Sequence, residues 1–254
     1  MSRIPKTLHF VWVGDESLRP DAYIDTWRRK HPDFTVKVWG NDDWHNGDWV
    51  NRRHMDAFVA HGKEYRAVAD IMRWEILLKE GGFALDADSV CINPLPEWLF
   101  DCSLFAAWEN EYVRPGLVAN GYVGAEPGHS VMAAMVDRLD SQRDLARRFV
   151  WYKMKYKRRR AWNTTGPIPF TETLFASADR SATLLPSHFF LPIHHSGERY
   201  SGTGPIYSCE LFAGTHSQNY DSVYGALLKN DPLALERNVR EQLGLPVEIG
   251  EVQE

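Results

Sequence analysis

The chain has 254 residues, of which 44% are hydrophobic, 25% charged and 13% aromatic, which is enough apolar material for a sizeable core. The net charge of −5 argues against a general nucleic-acid-binding protein, so we expect no nucleic-acid partner. No stretch of the sequence reaches the roughly 18 to 20 apolar residues that a membrane-spanning helix needs.

The cysteines and the first residues of the chain indicate the cellular compartment in which the protein is expected. Cys91, Cys102 and Cys209 are odd in number and lack C-x-x-C spacing, so they predict neither a disulfide framework nor a zinc site and favour reducing conditions. The first residues show no charged region, apolar run or cleavage site typical of a signal peptide. We therefore expect a soluble protein of the cytoplasm.

Strands and helices alternate along the chain, which predicts an α/β fold. Strands are expected over residues 7–13, 34–39, 83–85, 103–108 and 117–124, and helices over 21–30, 64–80, 130–139 and 231–242. Residues 41–50 are predicted to form a loop, and segments near 183–193 and 207–213 are strand-like. The sequence shows no internal repeat and no linker, which favours one domain over residues 1–254.

Two aspartates follow the short apolar strand predicted over residues 83–85. Residues two apart in an extended segment point to the same side, so Asp86 and Asp88 present their carboxylates together. Such a pair of like charges favours a cation between them, and Mg²⁺ and Mn²⁺ prefer oxygen ligands. The alternative interpretation is a solvated turn, in which aspartate is common.

The helix before these aspartates carries a charged face. Arg66, Asp70 and Arg73 are spaced so that they share one side of the helix, which leads through Gly81-Gly82 into the strand before Asp86. We expect this face to border the same cleft. The alternative is a ladder of ion pairs within the helix, worth a few tenths of a kcal/mol.

Three segments together resemble a known family. Residues 4–14 (IPKTLHFVWVG), 69–73 (ADIMR) and 81–88 (GGFALDAD) are similar in order and spacing to the opening strand, A/S-D-x-x-R helix and G-G-x-Y-L-D-x-D segment of glycosyltransferase family 32. This sugar-transferase family containing the DxD motif includes capsule and lipooligosaccharide transferases and yeast initiating mannosyltransferases. The large clostridial glucosylating toxins share a similar core.

The resemblance implies a Rossmann-like, nucleotide-sugar-binding type A glycosyltransferase (GT-A) fold, with a mixed central sheet flanked by helices. It also implies a divalent metal, Mn²⁺ or Mg²⁺, and transfer with retention of the anomeric configuration. Residues 4–125 would form the nucleotide-sugar and metal half, and residues 126–254 the acceptor-side half.

The same resemblance assigns roles to residues that bind the donor. Trp12 would stack on the nucleobase, with Val11 beside it in the donor-binding set, although a core tryptophan is the alternative. Asp70 would accept hydrogen bonds from hydroxyls of the donor sugar. Arg73 would hold that sugar or the diphosphate with its fork of donors.

The resemblance also implies a metal site and its surroundings. Asp86 would contact the ribose, the sugar or the metal, Asp88 would bind the metal directly, and His216 would complete the site. Asn120, in a segment similar to the family's N-x-x-x-x-x-P-G-H, would face the sugar or the acceptor, and Thr165 begins a similar T-G-P loop at the cleft edge. The usual tyrosine of the DxD strand is alanine here, which leaves the bound nucleotide undetermined.

One segment is strongly basic. Residues 143–160 hold nine lysines and arginines and a single acid, Asp144, and Phe149, Tyr152 and Tyr156 lie at helical spacing among them. This pattern predicts a basic amphipathic helix that docks on the inner face of a membrane. The alternatives are a solvated helix and a site for an anionic saccharide.

The sequence thus predicts a metal-dependent retaining glycosyltransferase. A UDP-sugar is the favoured donor and GDP-mannose the next, and a hydroxyl of a surface polysaccharide or lipid-linked glycan is the expected acceptor. A toxin-like protein glycosyltransferase is the main alternative. From other classes, a phosphatase of the haloacid-dehalogenase type, suggested by the D-x-D-S-V run, and a non-catalytic nucleotide-sugar-binding module remain open.

Overall fold

The computed structural model describes residues 2–150, 154–211 and 231–247. The expected metal ligand His216 and the tail from residue 248 lie outside these ranges. Within them, no helix combines the length and the apolar character needed to cross a membrane.

Ten strands and seven helices are described. The strands are β1 (Thr7–Val11), β2 (Thr35–Trp39), β3 (Gly82–Leu85), β4 (Ser89–Cys91), β5 (Leu104–Trp108), β6 (Val118–Ala125), β7 (Arg147–Val150), β8 (Lys155–Arg158), β9 (Ala182–Leu185) and β10 (Ser208–Glu210). The helices are α1 (Asp21–Lys30), α2 (Asn41–Asn46), α3 (Arg52–Gly62), α4 (Tyr65–Glu80), α5 (Ser130–Asp140), α6 (Pro167–Ala176) and α7 (Pro232–Leu243).

A mixed six-stranded sheet forms the centre, in the order β2-β1-β3-β6-β5-β9. β1 runs parallel to β2 and β3, β6 is antiparallel to β3 and β5, and β9 is parallel to β5. β4 pairs with β10 and β7 with β8 in two small antiparallel ladders. The expected α/β class with a mixed sheet flanked by helices is confirmed.

Alternation along the strands separates two apolar layers. Phe83 and Leu85 of β3 face the layer that α1 covers, whereas Ala84 faces the layer of α3 to α6. This period-two pattern places the helices on both faces of the sheet. The loops at the carboxyl ends of β1 and β3 therefore open at one edge between the two helical layers.

A glycine pair joins α4 to β3 under tight constraints. Gly82 has a φ of +95°, and a Cβ there would lie 2.7 Å from the carbonyl oxygen of Thr7 on β1. His9 Nδ1 accepts a hydrogen bond from Trp39 Nε1 (3.1 Å), so its Nε2 donates to the Gly81 carbonyl (2.9 Å). Burial lowers the pKa of His9 to about 4, which keeps the ring neutral. These contacts fix where α4 ends and where β3 begins.

The structure corrects several predictions. The expected loop over residues 41–50 contains α2, and the helices α3 and α6 were not predicted. Each is short, and their polar or proline-containing sequences give a weak periodic signal.

The basic amphipathic helix predicted over residues 143–160 is wrong. β7 and β8 form a hairpin there, with Arg147 opposite Arg158 in the register. Aromatic and β-branched residues in this segment favour strands, and this preference outweighs the helical spacing of the aromatic residues. The argument for membrane docking through an amphipathic helix therefore has no structural basis.

Trp27 of α1 ties the helical layer to the loop after β3. Its side chain is fully buried, and its indole Nε1 donates to the Ser89 carbonyl oxygen (3.1 Å). We expect Trp27→Phe to lower the free energy of unfolding by about 2 to 4 kcal/mol, because it leaves a cavity and a buried acceptor without its donor. Urea unfolding measures this change.

The matched control is Trp98→Phe. Trp98 is 46% exposed, so the same substitution should change stability by no more than about 0.5 kcal/mol. Equal effects of the two substitutions would contradict the role given to Trp27.

Candidate active site

The loop after β3 presents Asp86 and Asp88 on one side of the chain. Both side chains are partly exposed, whereas Ala87 between them is buried in the α1 layer. The Ser89 backbone N–H and hydroxyl both donate to the Asp86 carbonyl oxygen, at 3.2 and 2.7 Å. This compact turn holds the two carboxylates together, as the spacing predicts.

A third carboxylate joins them from a distant part of the chain. β10 pairs antiparallel with β4, and the register sets Glu210 opposite Ser89. Carboxylate oxygens of Asp86, Asp88 and Glu210 all lie within 4.8 Å of one another. Sequence reasoning missed Glu210, because no motif marks it and only the strand pairing brings it to the loop.

Ionisation of Glu210 is disfavoured in this acidic cluster. Burial, together with the charges of Asp86, Asp88 and Glu109, raises the pKa of Glu210 well above its usual value. Three hard oxygen donors that repel one another suit a divalent cation such as Mn²⁺ or Mg²⁺. The residues present therefore fit the metal that the sequence predicts.

Arg73 of α4 connects the helix to the acidic cluster. Its side chain is buried, and its Nη2 donates to Asp86 Oδ1 while its Nη1 donates to the Asn120 carbonyl oxygen (2.7 Å). Arg73 Nη1 also lies 3.6 Å from Asp70 Oδ1. The guanidinium thus bridges α4, the loop after β3 and strand β6.

Asp70 occupies a second buried position on the same helical turn. Its Oδ1 accepts a hydrogen bond from Asn120 Nδ2 (2.7 Å), and its Oδ2 accepts one from Thr165 Oγ1 (2.9 Å). Burial raises the pKa of Asp70 to about 7, although the charge of Arg73 opposes this shift. The T-G-P segment predicted at the cleft edge therefore contacts the site directly.

The register of the sheet aligns the remaining donor-binding candidates. Phe10 pairs with Leu85 in the parallel β1–β3 ladder, so Trp12 and Asp86 follow at the same edge. Trp12 is half-buried and its Nε1 donates to the Asp15 carbonyl oxygen (2.9 Å), whereas Val11 is buried in the core. On the other side of β3, the Asp86 N–H donates to the Gly121 carbonyl oxygen (3.0 Å) next to Asn120.

Glu109 and Glu111, in the loop after β5, are held by contacts outside the acidic cluster. Glu109 accepts a hydrogen bond from Arg114 (2.8 Å), and Glu111 accepts bonds from the backbone and hydroxyl of Ser187. Both carboxylates thereby fasten the loop after β5 to neighbouring segments.

Comparison with known proteins identifies the region that carries the site. Residues 18–104 match the family described as glycosyltransferase sugar-binding region containing DXD motif. The matched range includes Asp70, Arg73, Asp86 and Asp88. Arg73 pairs with Asp86 and Asp70, and Asp88 lies beside Asp86.

Two curated proteins are similar in sequence. The chain is 24% identical over 169 residues to a putative glycosyltransferase, HOC1, of Saccharomyces cerevisiae, over 54% of this chain and 39% of that protein. It is 21% identical over 170 residues to the subversion of eukaryotic traffic protein A of Legionella pneumophila, over 55% of this chain and 25% of that protein. The matched regions thus cover less than half the length of each relative.

Solved structures with a similar arrangement include two glycosyltransferases. The PaToxG glycosyltransferase has a TM-score of 0.44 and 14% identity, over 98% of this chain and 81% of that one. The galactosyltransferase LgtC, in complex with donor and acceptor sugar analogues, has a TM-score of 0.44 and 12% identity, over 80% of this chain and 86% of that one.

The family match agrees with the type A fold expected from the sequence and with the mixed sheet flanked by helices. Through residues 18–104, the chain therefore resembles the glycosyltransferase family whose sugar-binding region contains the DXD motif.

Proposed function

We propose that the chain transfers a sugar from a nucleotide-sugar donor to an acceptor hydroxyl, with retention of configuration, at the edge of the sheet where Asp86, Asp88 and Glu210 meet. The convergence of these three carboxylates within 4.8 Å, inside the DXD-containing fold, carries this proposal.

The acidic cluster would hold the divalent metal. Asp86, Asp88 and Glu210 supply the carboxylate ligands, and His216 stays a predicted further ligand that would favour Mn²⁺ over Mg²⁺. A bound divalent ion neutralises the negative charge of the diphosphate leaving group as a Lewis acid.

The residues around the cluster would bind and orient the donor. Arg73 fixes Asp86 with one nitrogen and the Asn120 backbone with another, so the metal-binding carboxylate is preorganised before the donor arrives. Each carboxylate oxygen of Asp70 already accepts one hydrogen bond, from Asn120 or from Thr165. The remaining lone pairs would accept hydrogen bonds from hydroxyls of the donor sugar. Trp12 would stack on the nucleobase at the same edge.

The donor and acceptor follow from the family resemblance. A UDP-sugar is the proposed donor with GDP-mannose next, and the proposed acceptor is a surface polysaccharide or lipid-linked glycan, such as a capsule or lipooligosaccharide. Positioning and electrostatic stabilisation would supply most of the rate, since the acceptor hydroxyl itself is the nucleophile. The cytoplasmic location stays a prediction.

Donor hydrolysis without acceptor tests this proposal. UDP-glucose, UDP-galactose, UDP-N-acetylglucosamine and GDP-mannose are each incubated with Mn²⁺ or with EDTA. We expect one donor to be hydrolysed, and both EDTA and Asp88→Asn to slow hydrolysis by about 10²-fold or more, because the leaving-group charge is then no longer neutralised.

The control is Asp137→Asn, an exposed aspartate on α5, which should retain wild-type hydrolysis. Full turnover in EDTA would contradict the metal site. Failure to hydrolyse any donor, with no Mn²⁺-dependent binding of UDP or GDP by calorimetry, would contradict the transferase proposal itself.

A second experiment tests Glu210 as a metal ligand. Glu210→Gln keeps the size of the side chain but cannot supply a carboxylate to the metal, so we expect Mn²⁺ to bind the UDP-saturated protein about 10-fold or more weakly. Mn²⁺ titration by calorimetry gives the affinity. Glu241→Gln, at an exposed position on α7, is the matched control, and equal affinities in both variants would remove Glu210 from the site.

The raised pKa of Asp70 predicts how stability depends on pH. The folded protein holds a proton on Asp70 up to about pH 7, whereas the unfolded chain releases it near the ordinary value of 3.8. The folded state therefore binds more protons between these values, and its free energy of unfolding falls as pH rises through this range.

Asp70→Asn lacks this titration. We expect the stability of Asp70→Asn relative to wild type to rise between pH 4 and about pH 7 and then to level off. Urea unfolding at several pH values, in EDTA, gives the difference. A difference that does not change with pH would mean that Asp70 titrates normally in the folded protein.

A further inference from the structure

A basic cavity lies between the α3–α4 junction and the end of β8. Its volume is about 710 Å³, within the usual range of roughly 300 to 1,000 Å³ for small-molecule sites. Apart from His61, its charged lining residues are five cations and one acid: Lys63, Arg66, Arg158, Arg159, Arg160 and Glu64. The whole chain carries −5, so this positive charge is a local concentration.

The cavity's cations are poorly compensated by the protein. Among the described residues, no carboxylate forms an ion pair with Lys63, Arg158, Arg159 or Arg160. Like charges held close together repel one another, so an anion entering the cavity gains energy from several of them at once. The amino terminus of α4, which carries Tyr65 and Arg66, adds a positive dipole end.

Two segments of the chain connect the cavity to the candidate active site. Tyr65 lines the cavity, and its ring lies beside Gly14, which is two residues after Trp12. A Cβ added to Gly14 would be 3.2 Å from that ring. On the other side, Arg160 precedes the turn that ends in Thr165, whose hydroxyl binds Asp70. The cavity therefore shares helix α4 and the turn after Arg160 with Asp70 and its hydrogen-bond partner Thr165.

The cavity is separate from the acidic cluster, and the two have opposite charge. The acidic cluster would hold the metal, which would neutralise charge on the donor diphosphate. None of its three carboxylates lines the basic cavity. The cavity is thus a positive region apart from the cluster that would hold the metal and the donor diphosphate.

We propose that this cavity binds a negatively charged group, a carboxylate or a phosphate, on the acceptor saccharide. The proposal rests on the proposed transferase function and specifies the acceptor as an anionic glycan. Several arginines suit this role because the planar guanidinium forms paired hydrogen bonds with carboxylate and phosphate oxygens.

Direct binding tests the proposal on the full chain. The anionic probes are tetragalacturonate and glucose 6-phosphate, and their neutral counterparts are maltotetraose and glucose. Calorimetry at an ionic strength of about 0.05 M limits the screening of exposed charges. We expect at least one anionic probe to bind at least tenfold more tightly than its neutral counterpart.

Charge-reversal variants test whether the anionic probe binds in the cavity. The double variant Arg158→Glu/Arg160→Glu should bind the anionic probe at least tenfold more weakly, and the milder Arg158→Gln/Arg160→Gln should lie between it and wild type. The matched control, Arg29→Glu/Arg237→Glu, changes exposed arginines on α1 and α7 and should bind like wild type. Urea unfolding checks that every variant is folded.

The outcomes separate this inference from the proposed function. Equal binding of anionic and neutral probes, no binding of either, or equal loss in the control variant would overturn the inference. Binding of anionic phospholipid vesicles with no binding of the saccharide probes would also overturn it, in favour of a membrane surface. Mn²⁺-dependent binding of UDP by the wild-type protein is measured in parallel, and its absence would instead count against the transferase proposal.

Discussion

The candidate active site depends on one buried cation, the guanidinium of Arg73. A charge out of contact with water is stable only when it is paired and hydrogen-bonded. Although burial disfavours the cation, the charges of Asp86 and Asp70 raise the pKa of Arg73 and keep it charged. The same side chain reaches Asp86 after β3 and the Asn120 carbonyl on β6, so its pairing fixes a helix, a loop and a strand at once. Loss of any one partner would leave the cation undercompensated, which makes the arrangement specific as well as stable.

Opposite charges around this cation divide the surface into two regions. On one side, Asp86, Asp88 and Glu210 bring three carboxylates together, a set that attracts a cation. On the other side, beyond Asp70 and Thr165, lies the cavity between Lys63 and Arg160, whose charge needs an anion. The proposed transfer between two anionic substrates would have to hold both near one reacting carbon while keeping their charges apart. A negative region that could bind a metal, beside a positive one, would meet that requirement.

The parts of the site that the sequence predicts are those determined locally. Asp86 and Asp88 share a side because a strand has a period of two, and Asp70 and Arg73 share a face because a helix has a period of 3.6. Glu210 depends on the pairing of β10 with β4, two strands more than 110 residues apart, which no local pattern encodes. The helix predicted over the basic segment is wrong for a related reason. The spacing of its aromatic residues is compatible with both a helix and a strand, and only the pairing of β7 with β8 selects the hairpin.

A small residue on β6 is needed where this strand approaches the loop that carries Asp86. A Cβ on Gly121 would lie 2.3 Å from Asp86 Oδ2, so any larger residue would displace that carboxylate or the strand. The Asp86 N–H already donates to the Gly121 carbonyl, and Arg73 must reach both Asp86 and the adjacent Asn120 carbonyl. The β3–β6 ladder continues into this bond and sets the separation of β6 from the loop, and the guanidinium of Arg73 spans the same gap. Gly121 allows this close approach because it has no side chain. The position of Asp86 therefore depends on the backbone of β6 as well as on the loop after β3.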